Sequence, residues 1–356
     1  MKLRWGICGS GLIANDFLVG LSTLPPEDHS VVAIAETWTP ETAQELAKKF
    51  HIDAVYEKFT DVAEDPNIDI VYIAVLNQAH LPLCKLFLTH HKNVLCEKPL
   101  GLNKNQSRQI IQLAKDNNVF FMEGWWSRFF PAAASLRDTI ADDVIGQVKF
   151  MQCTMGFAMS TKDRICRKEC GGGAVMDMGV YPLNLALMIF GERPASYSAT
   201  GTLGKTGVDE MCVMTLQFPN KGIATLCVST DTKLPNELNI QGLKGRIKIK
   251  NPFWCPTKLE ISTYVAEEGS TAFDINEKTE ILEFPLIKSS YHQNYPNAVG
   301  LRYEAEAVRQ CIIKGMKECP LVSHADSLFM AEMVETLRHQ MGYYLEGDEN
   351  VTSNSL

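Results

Sequence analysis

Two short stretches carry side chains that can move a proton. In Cys96-Glu97-Lys98-Pro99, a carboxylate and an ammonium stand at the tip of the apolar run Val94-Leu95-Cys96, and proline then stops it. Proline disfavours helix for the residue before it and so holds Lys98 extended. A charged pair at the end of a buried strand is costly, although an exposed Lys-Glu pair would be an ordinary surface feature. The second stretch, GGGAVMDMGVYPLN over 171–184, carries Asp177, Tyr181 and Asn184 at i, i+4 and i+7. On a helix this spacing puts a carboxylate, a phenol and an amide on one face, with Met176 and Val180 pointing elsewhere. Three polar groups in register on an apolar helix want a ligand, whereas a lone tyrosine would read as a core residue with a satisfied hydroxyl. A cation beside a phenol lowers its pKa from about 10, which makes the pair a general acid–base for an alcohol.

Such a pair needs elements to position it. Over residues 1–123 apolar runs alternate with helical patterns: Leu3–Cys8 and a helix from about Leu12; Val31–Ala35 and a helix over Glu41–Phe50; Ile70–Val75 and Leu81–His90. Asn93–Cys96 is followed by a helix over Lys104–Asp116 with Asn103 as its N-cap, and Val119–Glu123 closes the series. Strands without in/out alternation, separated by helices, predict a parallel sheet covered on both faces, a doubly wound α/β domain. Lys98 then falls at the carboxyl end of a strand, where such sheets bind ligands.

The first strand runs into Gly9-Ser10-Gly11-Leu12-Ile13-Ala14, a G-x-G-x-x-A turn that opens a helix. Gly9 allows the tight turn, Gly11 lets backbone approach a diphosphate, and Ala14 lets helix and sheet pack closely, with the diphosphate at the helix N-terminus. Glu36 stands 22 positions after Ala14, at the end of the second strand. A carboxylate there accepts hydrogen bonds from the adenosine ribose and repels a 2′-phosphate. With no Lys or Arg in ETWTPE, residues 36–41, the local chemistry favours NAD. A solvated glutamate at a strand end is the plainer alternative.

After Pro131 the texture changes. A helix over Ala132–Ile140 leads to a strand over Gln147–Gly156, and 171–191 reads as a long helix ended by Gly191. From Ala195 to about Phe284, runs such as MCVMTLQF and GIATLCVSTDT alternate in and out between turns and predict a large, mainly antiparallel open sheet. Helices over Gly300–Gly315 and Ala325–Tyr344 follow. The expected organisation is a dinucleotide-binding Rossmann domain over 1–124, an α+β substrate-binding domain over 125–345, and a flexible tail over 346–356.

A chain of 356 residues exceeds the roughly 250–300 at which one core tends to split. Its net charge of −8 argues against nucleic acid or an anionic membrane as partner. No uninterrupted run of roughly 18 apolar residues stands out as a membrane span. The 11 cysteines are scattered without a C-x-x-C pair, which points to reduced thiols in the cytoplasm. Cys166 and Cys170 have a spacing that could hold a metal, but no matching Cys/His pair follows, so no metal site is expected.

GSGLIA near the start, CEKP at 96–99 and GGG…D.G.Y at 171–181 together resemble the Gfo/Idh/MocA oxidoreductases over most of the chain. LRWGICGSGLI, NVLCEKPLG, RFFPA, GVDE and NPFWCPTKL resemble a branch of that family that oxidises trans-dihydrodiols of aromatic hydrocarbons to catechols and aldoses such as D-xylose at C1. The resemblance implies NADP as coenzyme, against the NAD favoured by Glu36 and Thr37, and a homodimer paired through the second sheet. It places the catalytic lysine on Lys98 and the acid/base on Tyr181, with Asp177 helping to place the substrate. It puts Asn77 and His80 of LNQAH, with Glu97 and Arg128, among the cofactor contacts. Trp125, Asn184 and Trp254 become candidate substrate contacts, although aromatic clusters are more often core than cleft and His80 could equally be structural. Two other functions remain open: another polyol dehydrogenase, of the inositol type, and a regulatory protein that binds the dinucleotide without turnover.

Overall fold

The computed structural model describes residues 1–265 and 276–349. Six parallel strands form the first sheet: β1 (Leu3–Cys8), β2 (His29–Ala35), β3 (Ala54–Tyr56), β4 (Ile70–Ile73), β5 (Asn93–Glu97) and β6 (Phe121–Gly124), in the order β3-β2-β1-β4-β5-β6. Both faces are covered. Ile70 and Tyr72 enter one apolar core, and Val71 and Ile73 enter the other. This is why β4 is apolar at every position rather than alternating. The chain leaves β1 towards β2 on one side and returns to β4 on the other, so a crevice opens between their carboxyl ends. Neither β3 nor the helix Phe59–Glu64 shows in the residue pattern. A three-residue edge strand is too short to show a period.

Eight strands form the second sheet: β7 (Val148–Gly156), β8 (Ser196–Leu203), β9 (Asp209–Gln217), β10 (Ile223–Ser229), β11 (Leu238–Gly242), β12 (Gly245–Ile249), β13 (Lys258–Val265) and β14 (Asn276–Glu283). Their order is β14-β13-β12-β11-β7-β10-β9-β8, antiparallel throughout except for the parallel pair β7–β10. Cys212, Met214 and Leu216 of β9 are fully buried. Val213, between them, is 42% exposed on the outer face, as are Phe150 at 37% and Ile223 at 41%, which are register partners. The stretch Lys168–Phe190 is long and apolar enough to cross a bilayer, but 78% of its most apolar window is buried inside the protein, as befits a core helix.

The C-terminal helices pack back towards the first sheet. Asp16, on the helix Leu12–Leu21, accepts hydrogen bonds from Asn294 N at 2.9 Å and Tyr295 N at 2.8 Å and so fixes the loop before the helix Leu301–Ile313. The expected flexible tail is corrected over its first part. Asp348 accepts two bonds of 3.0 Å from the buried guanidinium of Arg338, and the Glu346 carbonyl accepts from Asn103 at 3.2 Å. These bonds hold 346–349 against the helix His324–Gln340; residues 350–356 lie outside the described part.

Candidate active site

One cavity of about 1370 Å³ runs from the glycine turn after β1, past the tips of β4 and β5, to the second sheet. It is roomier than the roughly 300–1,000 Å³ of an ordinary small-molecule site. Its first end is built by the turn. Gly9 has φ +100°, and a Cβ there would lie 2.3 Å from the Ala74 carbonyl oxygen, so only glycine fits. A Cβ on Gly11 would meet nothing within 4 Å, because that residue faces open space. Ser10, Gly11, Leu12 and Ile13 line the cavity at the start of the helix, whose first turn holds no acidic residue. An exposed N-terminal turn of this kind suits a diphosphate.

Glu36 closes this end. Its carboxylate accepts from Ser10 N at 3.2 Å, Ser10 Oγ at 3.1 Å and Trp38 N at 2.9 Å, and it lines the cavity with Trp38, Thr39 and Thr42. Among the described residues, no lysine or arginine lines this end. Thr37 is corrected: its hydroxyl donates to the Glu57 carbonyl at 2.9 Å and it lies outside the cavity lining.

The opposite end gathers the proton-moving groups. Lys98 follows β5, and its Nζ donates to the Asp177 backbone oxygen at 2.9 Å while lying 4.8 Å from the centre of the Tyr181 ring. Residues Val175–Gly179 form a π turn rather than the first turns of an α-helix, and the α-helix Val180–Phe190 follows. At this junction the Asp177 carbonyl accepts from Lys98. The Asp177 carboxylate pairs with Arg164, and Trp126 Nε1 donates to the Tyr181 hydroxyl at 3.3 Å. Lys98, Asp177, Tyr181, Arg164, Trp126 and Trp254 all line the same cavity.

Burial raises the Asp177 carboxyl, but Lys98, Arg164 and Lys162 together outweigh it and keep the group below the usual carboxylate range. Tyr181 departs from expectation. Burial and then Glu97 push its phenol well above the ordinary value, opposed by the bond from Trp126. Lys98 covers the face of the ring and directs its ammonium to a carbonyl, so Tyr181 rests as a neutral phenol. Glu97 is buried behind Lys98, accepting from Tyr72 Oη at 2.6 Å and Lys98 N at 3.3 Å; burial raises its carboxyl against both partners.

Four further residues expected at the site are turned away from it. His80 is fully buried, its ring nitrogens facing the carbonyls of Pro99 at 2.9 Å and Val75 at 3.2 Å, so it fixes loops rather than cofactor. Asn184 stands three residues past Tyr181, about 60° further round the helix, and meets the buried guanidinium of Arg128. Arg128 also donates to the Leu321 carbonyl at 2.6 Å and pairs with Asp326 at 3.2 Å. Trp125 is buried beneath that guanidinium, and its neighbour Trp126 reaches the cavity in its place. Asn77 does line the cavity, and its amide donates to the Gly171 carbonyl at 3.2 Å.

Sequence reasoning passed over Arg164, Lys162, Lys233, Phe157 and Tyr295, which also line this end. Arg164 lies in RICRKEC, where attention to cysteine spacing hid the arginine. Cys166 and Cys170 are free thiols. Among the described residues, Glu335, His339 and Asp348 are grouped closely enough to hold a metal ion. Their oxygens are already taken by Arg338, His339 and the backbone N–H groups of Lys104 and Glu349.

Residues 3–125 match the model of an oxidoreductase family with an NAD-binding Rossmann fold, and residues 133–248 match the GFO/IDH/MocA C-terminal domain. The trans-1,2-dihydrobenzene-1,2-diol dehydrogenase of Danio rerio is 39% identical over 349 residues, 98% of this chain and 99% of that protein. The protein of the same name from Homo sapiens is 34% identical over 350 residues, 98% and 100% of the two chains. Levoglucosan dehydrogenase, solved with NADH and levoglucosan, superposes with a TM-score of 0.81 at 19% identity, covering 96% of this chain and 98% of that one. The aldose-aldose oxidoreductase of Caulobacter crescentus, complexed with glycerol, gives 0.80 at 22% identity, covering 96% and 97%. These two likenesses are likenesses of fold.

Proposed function

We propose an activity that follows from one premise, that the chain belongs to the GFO/IDH/MocA oxidoreductase family. It is an NAD-dependent dehydrogenase that oxidises a hydroxyl on a ring substrate. The trans-dihydrodiols for which its relatives are named would give catechols after tautomerisation, and aldoses oxidised at C1 would give lactones. The observation that carries this assignment is the meeting of Lys98 and Tyr181, from opposite halves of the chain, in one cavity that also holds the glycine turn. A nicotinamide bound beside them supplies the hydride acceptor.

Ser10, Gly11, Leu12 and Ile13 would hold the diphosphate and Glu36 the adenosine ribose. The open space at Gly11 and the Glu36 carboxylate on the cavity wall fit that group. The lack of a lining Lys or Arg beside Glu36 among the described residues supports NAD over NADP. Once ionised, Tyr181 Oη takes the proton of the substrate hydroxyl, Lys98 orients the oxygen, and Trp126, Phe157 and Trp254 wall the ring. The 11 unpaired cysteines support a cytoplasmic location. Phe150, Ile223 and Val213, together on the outer face of the second sheet, support a homodimer formed through that face.

The test is formation of reduced nicotinamide by the purified chain with NAD or NADP and a panel of D-xylose, D-glucose, inositol and a benzene trans-dihydrodiol. Turnover of a sugar or diol, faster with NAD, is expected. Tight cofactor binding with no turnover on any alcohol would point to a regulatory protein instead.

A further inference from the structure

The substrate end of the cavity holds more positive charge than its carboxylates balance. β7 and β10 are parallel neighbours, so the loops that follow them leave the second sheet at the same end. Hydrogen bonds tie these loops together: Phe157 N to Ser229 O at 3.0 Å, Met159 N to Thr230 O at 2.7 Å, and Leu234 N to Gly156 O at 3.2 Å. Lys162 stands on one loop and Lys233 on the other, both lining the cavity at its exposed rim. Among the described residues neither ammonium has an ion-pair or hydrogen-bond partner.

The carboxylates of the cavity are accounted for elsewhere. Glu36 accepts from Ser10 and Trp38 at the nucleotide end, and Glu97 accepts from Tyr72 and Lys98 N. Asp177 faces Arg164 directly, with Lys98 on its own carbonyl, and the field of Lys162 reaches its carboxylate as well. Asp163 and Asp231, on the same two loops, do not line the cavity. Two lysines are therefore left over, on a tied rim, in a chain whose net charge is −8. A cleft of one sign on a molecule of the other concentrates the oppositely charged ligand.

We infer that the substrate carries an anionic group, carboxylate or phosphate, on the part of its ring remote from the reacting hydroxyl, and that Lys162 and Lys233 receive it. Among aldoses, the preferred substrate is then a uronic acid or a sugar phosphate rather than a neutral sugar. This rests on the dehydrogenase assignment above and narrows it.

The experiment compares kcat/KM for D-glucuronate, D-glucose 6-phosphate and D-glucose in the wild type, Lys162→Gln, Lys233→Gln and the double variant, at low and high salt. The wild type should prefer one of the anions by about tenfold or more, and in the double variant that ratio should fall to near one, within the range of exposed and half-exposed charge contacts. Which anion leads distinguishes carboxylate from phosphate. A wild-type ratio near one, or a ratio that the double variant leaves unchanged, overturns the inference. Equal slowing of charged and neutral sugars also overturns it, because the lysines would then serve the proton transfer. Binding of the same three sugars, followed by tryptophan fluorescence through Trp126 and Trp254, separates this inference from the enzyme assignment. Anion binding that weakens about tenfold in the double variant supports it even if nothing turns over, and anions bound no tighter than D-glucose overturn it even if D-glucose is oxidised.

Discussion

Glu304, on the helix Leu301–Ile313, is fully buried, and among the described residues neither of its carboxyl oxygens meets a donor. Burial, then the charge of Glu97 and the thiol of Cys319, hold its carboxyl well above the ordinary range. The folded chain therefore keeps a proton that the unfolded chain releases at about pH 4.3. A carboxyl raised on folding contributes its full stability below the unfolded value and loses it as pH rises towards the folded one, at about 1.4 kcal/mol per pH unit. Glu304→Met, similar in length and adaptable in packing, removes both the titration and the unmatched polar atoms. Relative to wild type it should gain about 1–3 kcal/mol from the polar atoms, and the gain should grow from pH 5 to pH 7 as the wild type loses the stability of its raised carboxyl. Glu304→Gln keeps an unmatched polar group but cannot ionise, so it should share the pH slope without the part of the gain that comes from the polar atoms. Urea unfolding at pH 5, 6 and 7, with unchanged m-values, measures each difference. Destabilisation of Glu304→Met by the same amount at every pH would show that the carboxyl is matched in solution, and the reasoning would fail.

Gly173→Ala places a Cβ 2.1 Å from Asp209 Oδ1 at φ +106°. It should cost roughly 2–5 kcal/mol by strain and by loss of the 2.8 Å bond from Val175 N to Asp209 that starts the Tyr181 helix; an unshifted thermal midpoint would contradict this. Glu36→Ala removes the carboxylate held by Ser10 and Trp38, and NAD affinity should fall by roughly 10–100-fold while NADP affinity changes less. Titration with both coenzymes checks it, and an unchanged NAD/NADP ratio would reduce Glu36 to a loop anchor. Tyr181→Phe should lower turnover by roughly 10²–10⁴ with coenzyme affinity nearly intact. Because burial holds this phenol high, alcohol oxidation by the wild type should still be climbing at alkaline pH, and a flat profile would take Tyr181 out of the proton transfer.

The parallel half was legible because each of its signals is local. Buried strands read as apolar runs, the turn at Gly9 admits only glycine, and Asn103 caps its helix by accepting from Gln106 N at 2.9 Å, as its position predicted. Lys98 and Tyr181 were legible because a charge at a strand tip and a phenol on an apolar helix are each anomalous alone. The errors at the site came from side-chain direction. Trp125 and Trp126 are adjacent and chemically identical, and only the 3-10 turn Trp126–Arg128 decides which reaches the cavity. Asn184 shares an approximate helix face with Tyr181, but Arg128 offered it a buried partner that no spacing rule contains. Lys162 and Lys233 were invisible because exposed lysines are common and only the parallel pairing of β7 with β10 brings their loops together.

The contact that joins the two halves of the site is made to backbone, and this explains why Asp177 was assigned a simpler role from sequence. A lysine opposite an aspartate is expected to meet its carboxylate. Here Lys98 Nζ donates to the Asp177 carbonyl oxygen instead. The ammonium is thereby fixed over the Tyr181 ring without using a side-chain acceptor, and the Asp177 carboxylate stays available for Arg164 on the other side. Two cations can then flank one residue without competing for the same oxygens. Lys98 answers to the position of the main chain, which the π turn and the Asp209 cap hold, while Arg164 answers to the charge. A substrate hydroxyl entering between Lys98 and Tyr181 meets an amine placed by fold rather than by ion pairing. That is the preorganisation that proton transfer to Tyr181, once its buried phenol has ionised, requires.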